Sequence, residues 1–197
     1  MLGDDLRHKT KNSHALSPAQ QLVIFVQSLG SGGYQIMLGD LAGTSQSTVS
    51  RIISKTAEVI LQNSNAFVEW PNDEERSRIA DRFLALTNIP GIIGAIDGVQ
   101  VPMIAPKQNE YLFVNRKGRH AINVVAVSDH RRAFLWYSRA YPGSAHDSRI
   151  FRESRLHSEL SSRIKKGVLL GDSAFQAERF LLKPVLDTPA DSPGILN

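Results

Sequence analysis

The stretch Ile92-Ile93-Gly94-Ala95-Ile96-Asp97-Gly98 decides the fold class of this chain of 197 residues. It is an apolar run rich in β-branched residues, which predicts a buried strand, and an aspartate follows the run directly. The later stretch Val168-Leu169-Leu170-Gly171-Asp172 repeats this pattern. If the two strands are parallel neighbours, Asp97 and Asp172 face each other at one edge of a sheet. Two carboxylates so close repel each other unless a hard divalent cation neutralises both.

Two further runs between these stretches predict strands, at His120 to Val127 and at Ala133 to Tyr137. A helical pattern from Ser144 to Leu160 then precedes the strand at Val168. Three strands, a helix and another strand predict an α/β (α+β) fold class, a sheet with flanking helices.

The residues before the first strand are helical in pattern. Ser17-Pro18 is typical of a helix start, and Leu22, Val23, Phe25, Val26 and Leu29 would form one apolar face. Gly43-Thr44-Ser45 then leads into a second periodic run, which predicts a helix-turn-helix. The alternative is a helical hairpin that never touches DNA. In the first interpretation the exposed tip of the second helix would meet base edges through Gln46, Ser47, Ser50 and Arg51.

These patterns divide the chain into four segments. Residues 1–15 are polar and expected to be poorly ordered, and residues 16–70 form the helix-turn-helix region. Residues 71–90 are a connecting helix, and residues 91–197 form the sheet domain.

Charge and composition narrow the function. The 23 Lys and Arg against 19 Asp and Glu give a net charge of +4, which permits a nucleic-acid partner without requiring one. The absence of cysteine leaves only oxygen and imidazole as metal ligands. The longest apolar runs are too short for a membrane helix, and the acidic start lacks the apolar core of a secretory signal, so we expect a protein inside the cell.

Three aspartates are candidate ligands for Mg²⁺ or Mn²⁺, namely Asp97, Asp147 and Asp172. Each also has a structural interpretation. Asp97 and Asp172 suit turns after strands, and Ser144-x-x-Asp147 fits a capping box for the following helix.

Five motifs occur together and in order, and together they resemble the DDE superfamily endonuclease domain of Harbinger-type transposases and of the nucleases derived from them. The resemblance covers about residues 89–185, and the helix-turn-helix before it resembles the same family's N-terminal part. The motifs are Ile93-Gly94-Ala95-Ile96-Asp97-Gly98, Asn115-Arg116-Lys117-Gly118 with Ile122-Asn123-Val124, Pro142-Gly143-Ser144-Ala145-His146-Asp147-Ser148-Arg149, Leu169-Leu170-Gly171-Asp172-Ser173 and Leu181-Leu182-Lys183-Pro184.

This resemblance implies a ribonuclease-H-like mixed sheet and divalent-metal-dependent hydrolysis of DNA phosphodiester bonds. It assigns Asp97 and Asp172 as catalytic metal-binding acids and Asp147 as a third acid on the metal. Five basic residues would hold DNA backbone phosphates, a role independent of base sequence: Arg116, Lys117, Arg119, Arg131 and Arg132. It also implies a nuclear location, with the cytoplasm as a second compartment, and a separate Myb-like partner that supplies DNA specificity.

The sequence departs from the family at the C-terminus. The family carries its last catalytic acid on a helix well after the Gly-Asp motif, whereas only 25 residues follow Asp172 here and the segment from Asp187 to Gly194 is turn-like. Glu178 lies too near Asp172 in sequence to be assumed a substitute. We therefore expect a C-terminally truncated, incomplete ribonuclease-H-like domain. The alternative function is a catalytically inactive remnant that binds DNA or a partner protein, and a third interpretation, a regulator with a small-molecule domain, leaves the aspartates unexplained.

Overall fold

A computed structural model describes residues 2–7, 15–32 and 34–184 of the chain. The chain divides into two compact units, Met1–Phe67 and Val68–Asn197. The expectations for residues 8–14 and for the segment from Asp187 to Gly194 lie outside the described residues. Among the residues described, no helix combines the length and the apolar character needed to cross a bilayer.

The first unit is helical. Its helices are α1 (Leu2–Leu6), α2 (Pro18–Ser31), α3 (Gln35–Ala42) and α4 (Gln46–Gln62), and a short 3₁₀ turn follows at Ser64–Ala66. Ser17 caps α2 in a capping box with Gln20, as the Ser17-Pro18 pattern predicts. The core of this unit consists of Ile24, Leu38, Val49 and Ile52.

Two expectations for this unit are wrong. Leu2–Leu6 form a helix where a poorly ordered segment was expected, and Leu6 is buried. The carbonyl of Leu6 accepts hydrogen bonds from the side chains of Gln21 and Lys55. The apolar face of α2 is also misassigned, because Val23, Val26 and Leu29 are exposed while Gln21 is buried.

A tight turn joins α3 to α4. Gly43 ends α3 with a φ of 62°, and Ser45 caps α4 by accepting a hydrogen bond from the Thr48 amide at 3.3 Å. A Cβ added at Gly39 would lie 2.7 Å from the Thr44 carbonyl oxygen, so only glycine fits where the turn crosses α3. Gln46, Ser47 and Arg51 at the start of α4 are exposed and Ser50 is half-buried.

The second unit contains a helix, a sheet and two short helices. Its elements are α5 (Asp73–Thr87), β1 (Ile92–Pro102), β2 (Ala121–Ser128), β3 (Phe134–Tyr137), β4 (Tyr141–Pro142), α6 (Asp147–Arg152), α7 (Arg155–Ser161), β5 (Val168–Leu170) and β6 (Leu181–Leu182). The predicted connecting helix is α5, and it belongs to this unit because Ile79 and Phe83 join the core of the sheet. The helix expected from Ser144 to Leu160 is two helices, because Ser154 starts a new helix by capping the His157 amide.

The strand order is β3-β2-β1-β5-β6, with β4 also paired to β2. β2 runs antiparallel to both β1 and β3, whereas β5 runs parallel to both β1 and β6. The mixed α/β fold class is confirmed, and these strand directions agree with the arrangement that the resemblance implies. In particular, β1 and β5, the strands associated with Asp97 and Asp172, are parallel neighbours, which is the condition that the sequence pattern set. The expectation that the first strand stops at Asp97 is wrong, because β1 continues to Pro102 and Asp97 lies in its middle.

The two faces of the sheet differ in how far they are covered. Ile96 of β1 is buried against a core that includes Ile150 and Phe151 of α6. Val99 and Val101, which by alternation lie on the other face, are 52% and 43% exposed. Among the described residues, the face that carries Val99 is therefore the open one.

Candidate active site

Asp97 lies within β1, and Asp172 lies two residues after the end of the neighbouring parallel strand β5. The parallel register of β1 and β5 pairs Ala95 with Leu170. A Cβ added at Gly171 would lie 3.3 Å from Cγ2 of Ile96, so the same register continues one residue further. Continued by one more residue, this register would place Asp97 beside Asp172, on chains that run about 4.8 Å apart in a sheet. Both aspartates are exposed.

The two carboxylates are oriented by backbone amides. Oδ1 of Asp97 accepts a hydrogen bond from the Gly98 amide at 2.7 Å, and Oδ1 of Asp172 accepts one from the Ala174 amide at 2.9 Å. Within residues 2–7, 15–32 and 34–184, neither carboxylate has a Lys, Arg or His at ion-pair distance. Each aspartate therefore keeps a second oxygen for a ligand.

Asp147 is held by a different set of contacts. It is the first residue of α6, and its carboxyl occupies the space that a Cβ at Gly98 would need. Nδ2 of Asn123 donates to Oδ1 of Asp147 at 2.6 Å and to the Ala145 carbonyl at 2.8 Å. The capping box expected at Ser144 is wrong, because His146 is the N-cap of α6 and makes no side-chain cap bond.

The three candidate ligands are not brought together. Neighbouring residues of a strand point to opposite faces, so Asp97 leaves β1 on the open face and Gly98, with Asp147 against it, on the covered face. In the part of the chain that the structure describes, no group of three acidic or histidine side chains could share one ion. Asp97 and Asp172 form a pair, and the role of Asp147 as a third ligand stays a prediction.

Two polar residues of this region were missed as functional candidates. Asn123 is 1% exposed and its Oδ1 has no hydrogen-bond partner, so an oxygen acceptor is left free beside Asp147. Gln100, which pairs with Asn123 across β1 and β2, donates to the Gly143 carbonyl at 3.2 Å. The sequence does carry a signal for Asn123, because it is a polar residue inside an apolar run that predicts a buried strand. A buried polar side chain needs hydrogen-bond partners, which indicates a specific role.

Three of the five predicted DNA-backbone residues lie on one ordered turn. Oδ1 of Asn115 accepts hydrogen bonds from the amides of Lys117 and Arg119, at 2.9 and 3.0 Å. Gly118 completes the turn with a φ of 69°, and its amide donates to the Asn115 carbonyl. The side chains of Arg116, Lys117 and Arg119 are thereby displayed to solvent.

The other two, Arg131 and Arg132, lie on the turn between β2 and β3. Burial alone would raise the pKa of the Asp129 carboxyl in this turn. Hydrogen bonds from the amides of Ala133 and Arg131, together with the Arg131 guanidinium, outweigh burial and hold that pKa below its ordinary value. Asp129 thus organises this turn as a buried carboxylate, much as Asn115 organises the other.

The two basic turns lie at opposite ends of β1. Residues 115–119 precede β2, which begins opposite Pro102, so this turn lies at the carboxyl end of β1. Residues 129–133 follow Ser128, which pairs with Ala95 near the amino end. The five basic residues are therefore two groups, and only the first lies at the ends of β1 and β5 where Asp172 follows its strand.

Glu178 is remote from these acids. Its carboxylate contacts Nε2 of His157 at 3.0 Å, and it precedes β6 at the amino end of the parallel strands. This position agrees with the expectation that Glu178 is no substitute for the last catalytic acid.

The donor set at Asp97 and Asp172 fits a hard divalent cation. Mg²⁺ is usually bound in proteins by one or two carboxylates together with several waters. Two exposed aspartates with a free oxygen each would supply such a set, Asp97 from the open face of β1 and Asp172 from the segment after β5. The fit rests on this pair of carboxylates.

Known proteins resemble this chain over almost its whole length. A rat protein named "Putative nuclease HARBI1" is 34% identical over 97% of the chain and 56% of its own length. The human protein of that name is 32% identical over the same shares. "Protein ALP1-like" of Arabidopsis thaliana is 26% identical over 92% of the chain and 48% of its own length. The chain thus spans about half the length of the curated relatives it matches.

A structural comparison adds a weaker likeness. A chain of the "Crystal structure of the Mos1 Strand Transfer Complex" aligns with 85% of this chain at 14% identity and a TM-score of 0.24, too low to establish a shared fold. The family comparison is specific, because residues 96–193 match the DDE superfamily endonuclease family. That range holds Asp97, Asp147 and Asp172. Through this domain, the chain belongs to the DDE superfamily endonucleases.

Proposed function

We propose that this domain hydrolyses DNA phosphodiester bonds with Mg²⁺ or Mn²⁺ held by Asp97 and Asp172. The observation that carries the proposal is the parallel register of β1 and β5, which leads towards Asp97 and Asp172 within a DDE superfamily endonuclease domain. A bound divalent cation would supply an activated water and neutralise charge at the leaving oxygen.

The protein residues have separate roles in this proposal. The Gly98 and Ala174 amides fix the direction of the two carboxylates before a ligand binds. Arg116, Lys117 and Arg119 would bind backbone phosphates on the rigid turn at the carboxyl end of β1. Asp147 would join the cation only if its contact with Asn123 gives way or is shared.

The first unit would add DNA contacts of its own. The exposed side chains Gln46, Ser47 and Arg51 at the start of α4, with half-buried Ser50, have the placement of the recognition helix in a helix-turn-helix. This unit has little excess of positive charge. We therefore also propose that a Myb-like partner supplies DNA specificity and that the protein acts in the nucleus.

A second candidate function is binding of DNA or a partner without cleavage. The observation that favours it is the separation of Asp147 from the other two acids, which leaves two carboxylates on the open face of β1 among the described residues. This candidate predicts salt-dependent DNA binding and no metal-dependent nicking.

Nicking of supercoiled plasmid by the purified full chain, with Mg²⁺ or Mn²⁺, separates the two candidates. We expect nicking that is abolished by Asp97→Asn and by Asp172→Asn. Asp81→Asn is the matched control, because Asp81 is an exposed carboxylate on α5 of the same unit. The control should nick like the unchanged chain.

Calorimetric titration with Mn²⁺ tests the metal site without activity. Binding that Asp97→Asn weakens by tenfold or more, and that Asp81→Asn leaves unchanged, supports the pair as ligands. Absence of nicking together with unchanged Mn²⁺ binding in both site variants would contradict the nuclease proposal.

A further inference from the structure

A basic cavity lies at the amino end of β5, away from the candidate active site. Its volume is about 650 Å³, and its charged lining residues are Arg163, Lys165, Lys166, Arg179 and Glu178. Gly167 and Asp172 stand at the two ends of β5, five residues apart, a separation of about 16 Å in an extended strand. The residues that line this cavity have no role in the proposed nuclease site.

Most of the positive charge in the cavity is not neutralised by the protein. Lys165 is paired with Glu159 at 2.9 Å, and Glu178 is engaged with His157. In the described part of the chain, no carboxylate lies within ion-pair distance of Arg163, Lys166 or Arg179. Three exposed cations therefore line the cavity without an ion-pair partner among the described residues, and the lining carboxylate Glu178 is engaged by His157.

Lys166 has one distant electrostatic partner. The hydrogen bond and charge of Arg76 lower the pKa of Asp73, and Lys166 lowers that pKa further. Arg76 is the residue in contact with Asp73, at 2.7 Å. The Lys166 ammonium thus remains available to a ligand in the cavity.

The walls of the cavity are fixed by backbone geometry. After α7 the chain passes Arg163 with a φ of 61° and Gly167 with a φ of 125°, where a Cβ would overlap Ile93. The opposite wall is held by a hydrogen bond from the Leu169 amide to the Phe180 carbonyl at 2.8 Å. A charged cavity whose walls are already ordered loses little entropy when it binds a ligand.

We infer that this cavity binds phosphate groups of a nucleic-acid backbone. Guanidinium and ammonium groups are the protein donors best suited to phosphate oxygens. Converging cations on a fixed surface raise the local concentration of polyanions. The turn that carries Arg131 and Arg132 lies at the same end of the sheet, because Ser128 pairs with Ala95 and Ile92 pairs with Val168.

The choice of a backbone phosphate over free phosphate rests on the proposed function. A strand held at Asp172 could continue to the cavity, since about 16 Å corresponds to about five steps of 3.4 Å along a duplex. Free inorganic phosphate shares the same chemistry and is therefore tested as a separate ligand.

The test is binding of a fluorescent 30-base-pair duplex to the full chain in EDTA, by anisotropy, over a range of salt concentrations. The variant is Lys166→Gln with Arg179→Gln, two exposed cavity residues. The matched control is Arg82→Gln with Arg152→Gln, which removes the same charge from exposed positions outside the lining. Binding in EDTA needs no cleavage, so failure of the nuclease proposal would appear only in the nicking assay.

We expect the cavity variant to bind the duplex about tenfold or more weakly than the control. The slope of log K against log salt should be less negative in the cavity variant than in the control, by about two. Equal affinity and slope in the cavity variant and the control would overturn the inference. Binding of inorganic phosphate that the cavity variant loses, with duplex binding unchanged, would also overturn it.

A local readout avoids interference from DNA contacts elsewhere in the chain. Lys166 should be protected from acetylation by saturating duplex, whereas the exposed Lys107 should be protected less. Acetylation of Lys166 at the same rate with and without duplex would contradict the proposed contact.

Discussion

Asn123 couples the strand β2 to the acid on α6. Its amide donates to Asp147 and to the Ala145 carbonyl from a site that is 1% exposed. Asparagine can donate to a carboxylate, whereas an ionised aspartate in its place cannot. The contact therefore requires an amide at this position as long as Asp147 is ionised.

Two substitutions at this residue should differ in their pH dependence. Asn123→Leu should lower the free energy of unfolding by about 1–3 kcal/mol at every pH, because it leaves the Ala145 carbonyl unpaired. Asn123→Asp should cost about 3 kcal/mol at pH 7, where the buried carboxylate introduced at position 123 and the half-buried carboxylate of Asp147 repel each other. One of them then has a raised pKa, so stability is present below that pKa and lost as the pH rises through it.

Thermal unfolding at pH 7 and at pH 4 checks this. Asn123→Asp should regain much of its loss at the lower pH, and Asn123→Leu should not. Equal losses for the two variants at both pH values would contradict the contact between positions 123 and 147.

Among the elements, the turn between β2 and β3 depends on one buried carboxylate. The folded chain lowers the pKa of Asp129 below its ordinary value of 3.8 through hydrogen bonds to the charged form. This stabilisation is complete above the ordinary pKa and is lost as the pH falls through the lowered one. Asp129→Asn should cost about 1–3 kcal/mol at pH 7, and the difference from the unchanged chain should shrink below about pH 4.

Chemical unfolding in urea from pH 7 to pH 3 measures this difference. Asp81→Asn serves as the control, since that exposed carboxylate lies outside the turn. A difference between Asp129→Asn and the unchanged chain that stays constant down to pH 3 would show that the carboxylate charge is not the source.

The elements also show why sequence reasoning succeeded at the sheet and failed at α2. β1 and β5 are predictable because a short apolar run indicates a buried strand. In β1 the aspartate marks the end of the buried part of the strand and not the end of the strand, which continues to Pro102. The buried face of α2 depends on Gln21, whose side chain donates to the carbonyls of Leu6 and Leu16. Because Gln21 is polar and the carbonyls that it contacts lie 5 and 15 residues away in sequence, the pattern of apolar residues along α2 does not show that Gln21 is buried.

The three aspartates of the candidate site also differ in how far the sequence could place them. Asp97 and Asp172 could be related from the sequence because each directly follows an apolar run, and the two runs lie in neighbouring parallel strands. The run before Asp97 is the first half of a longer strand, so Asp97 lies within β1 and not at its end. The position of Asp147 depends on where α6 packs on β2, and its partner Asn123 is remote in sequence. That contact is tertiary, so the local pattern at Ser144 indicated a cap that does not form.

At the scale of the whole molecule, the two units have separate hydrophobic cores. One core includes Val49 and Ile52, and the other includes Ile92 and Leu169. Both tryptophans, Trp70 and Trp136, lie in the second unit, so tryptophan fluorescence reports on that unit alone. Far-ultraviolet circular dichroism reports on the helices of both.

Leu169→Ala should lower the stability seen by fluorescence by about 2–5 kcal/mol, because Leu169 is fully buried. Val49→Ala should shift the dichroism transition by about 2 kcal/mol and leave the fluorescence transition unchanged. Denaturant unfolding followed by both signals makes the comparison. A fluorescence shift in Val49→Ala as large as the dichroism shift would mean that the two units unfold as one.

The close approach of Asp147 to Gly98 has an evolutionary consequence. The carboxyl fills the space of a missing Cβ, so any side chain at position 98 would displace it. A side chain larger than hydrogen at position 98 is therefore tolerated only when the residue at position 147 also changes. Among descendants of a common ancestral gene, a lineage that loses the carboxylate at position 147 becomes free to lose the glycine at position 98, and the two columns should show correlated substitution.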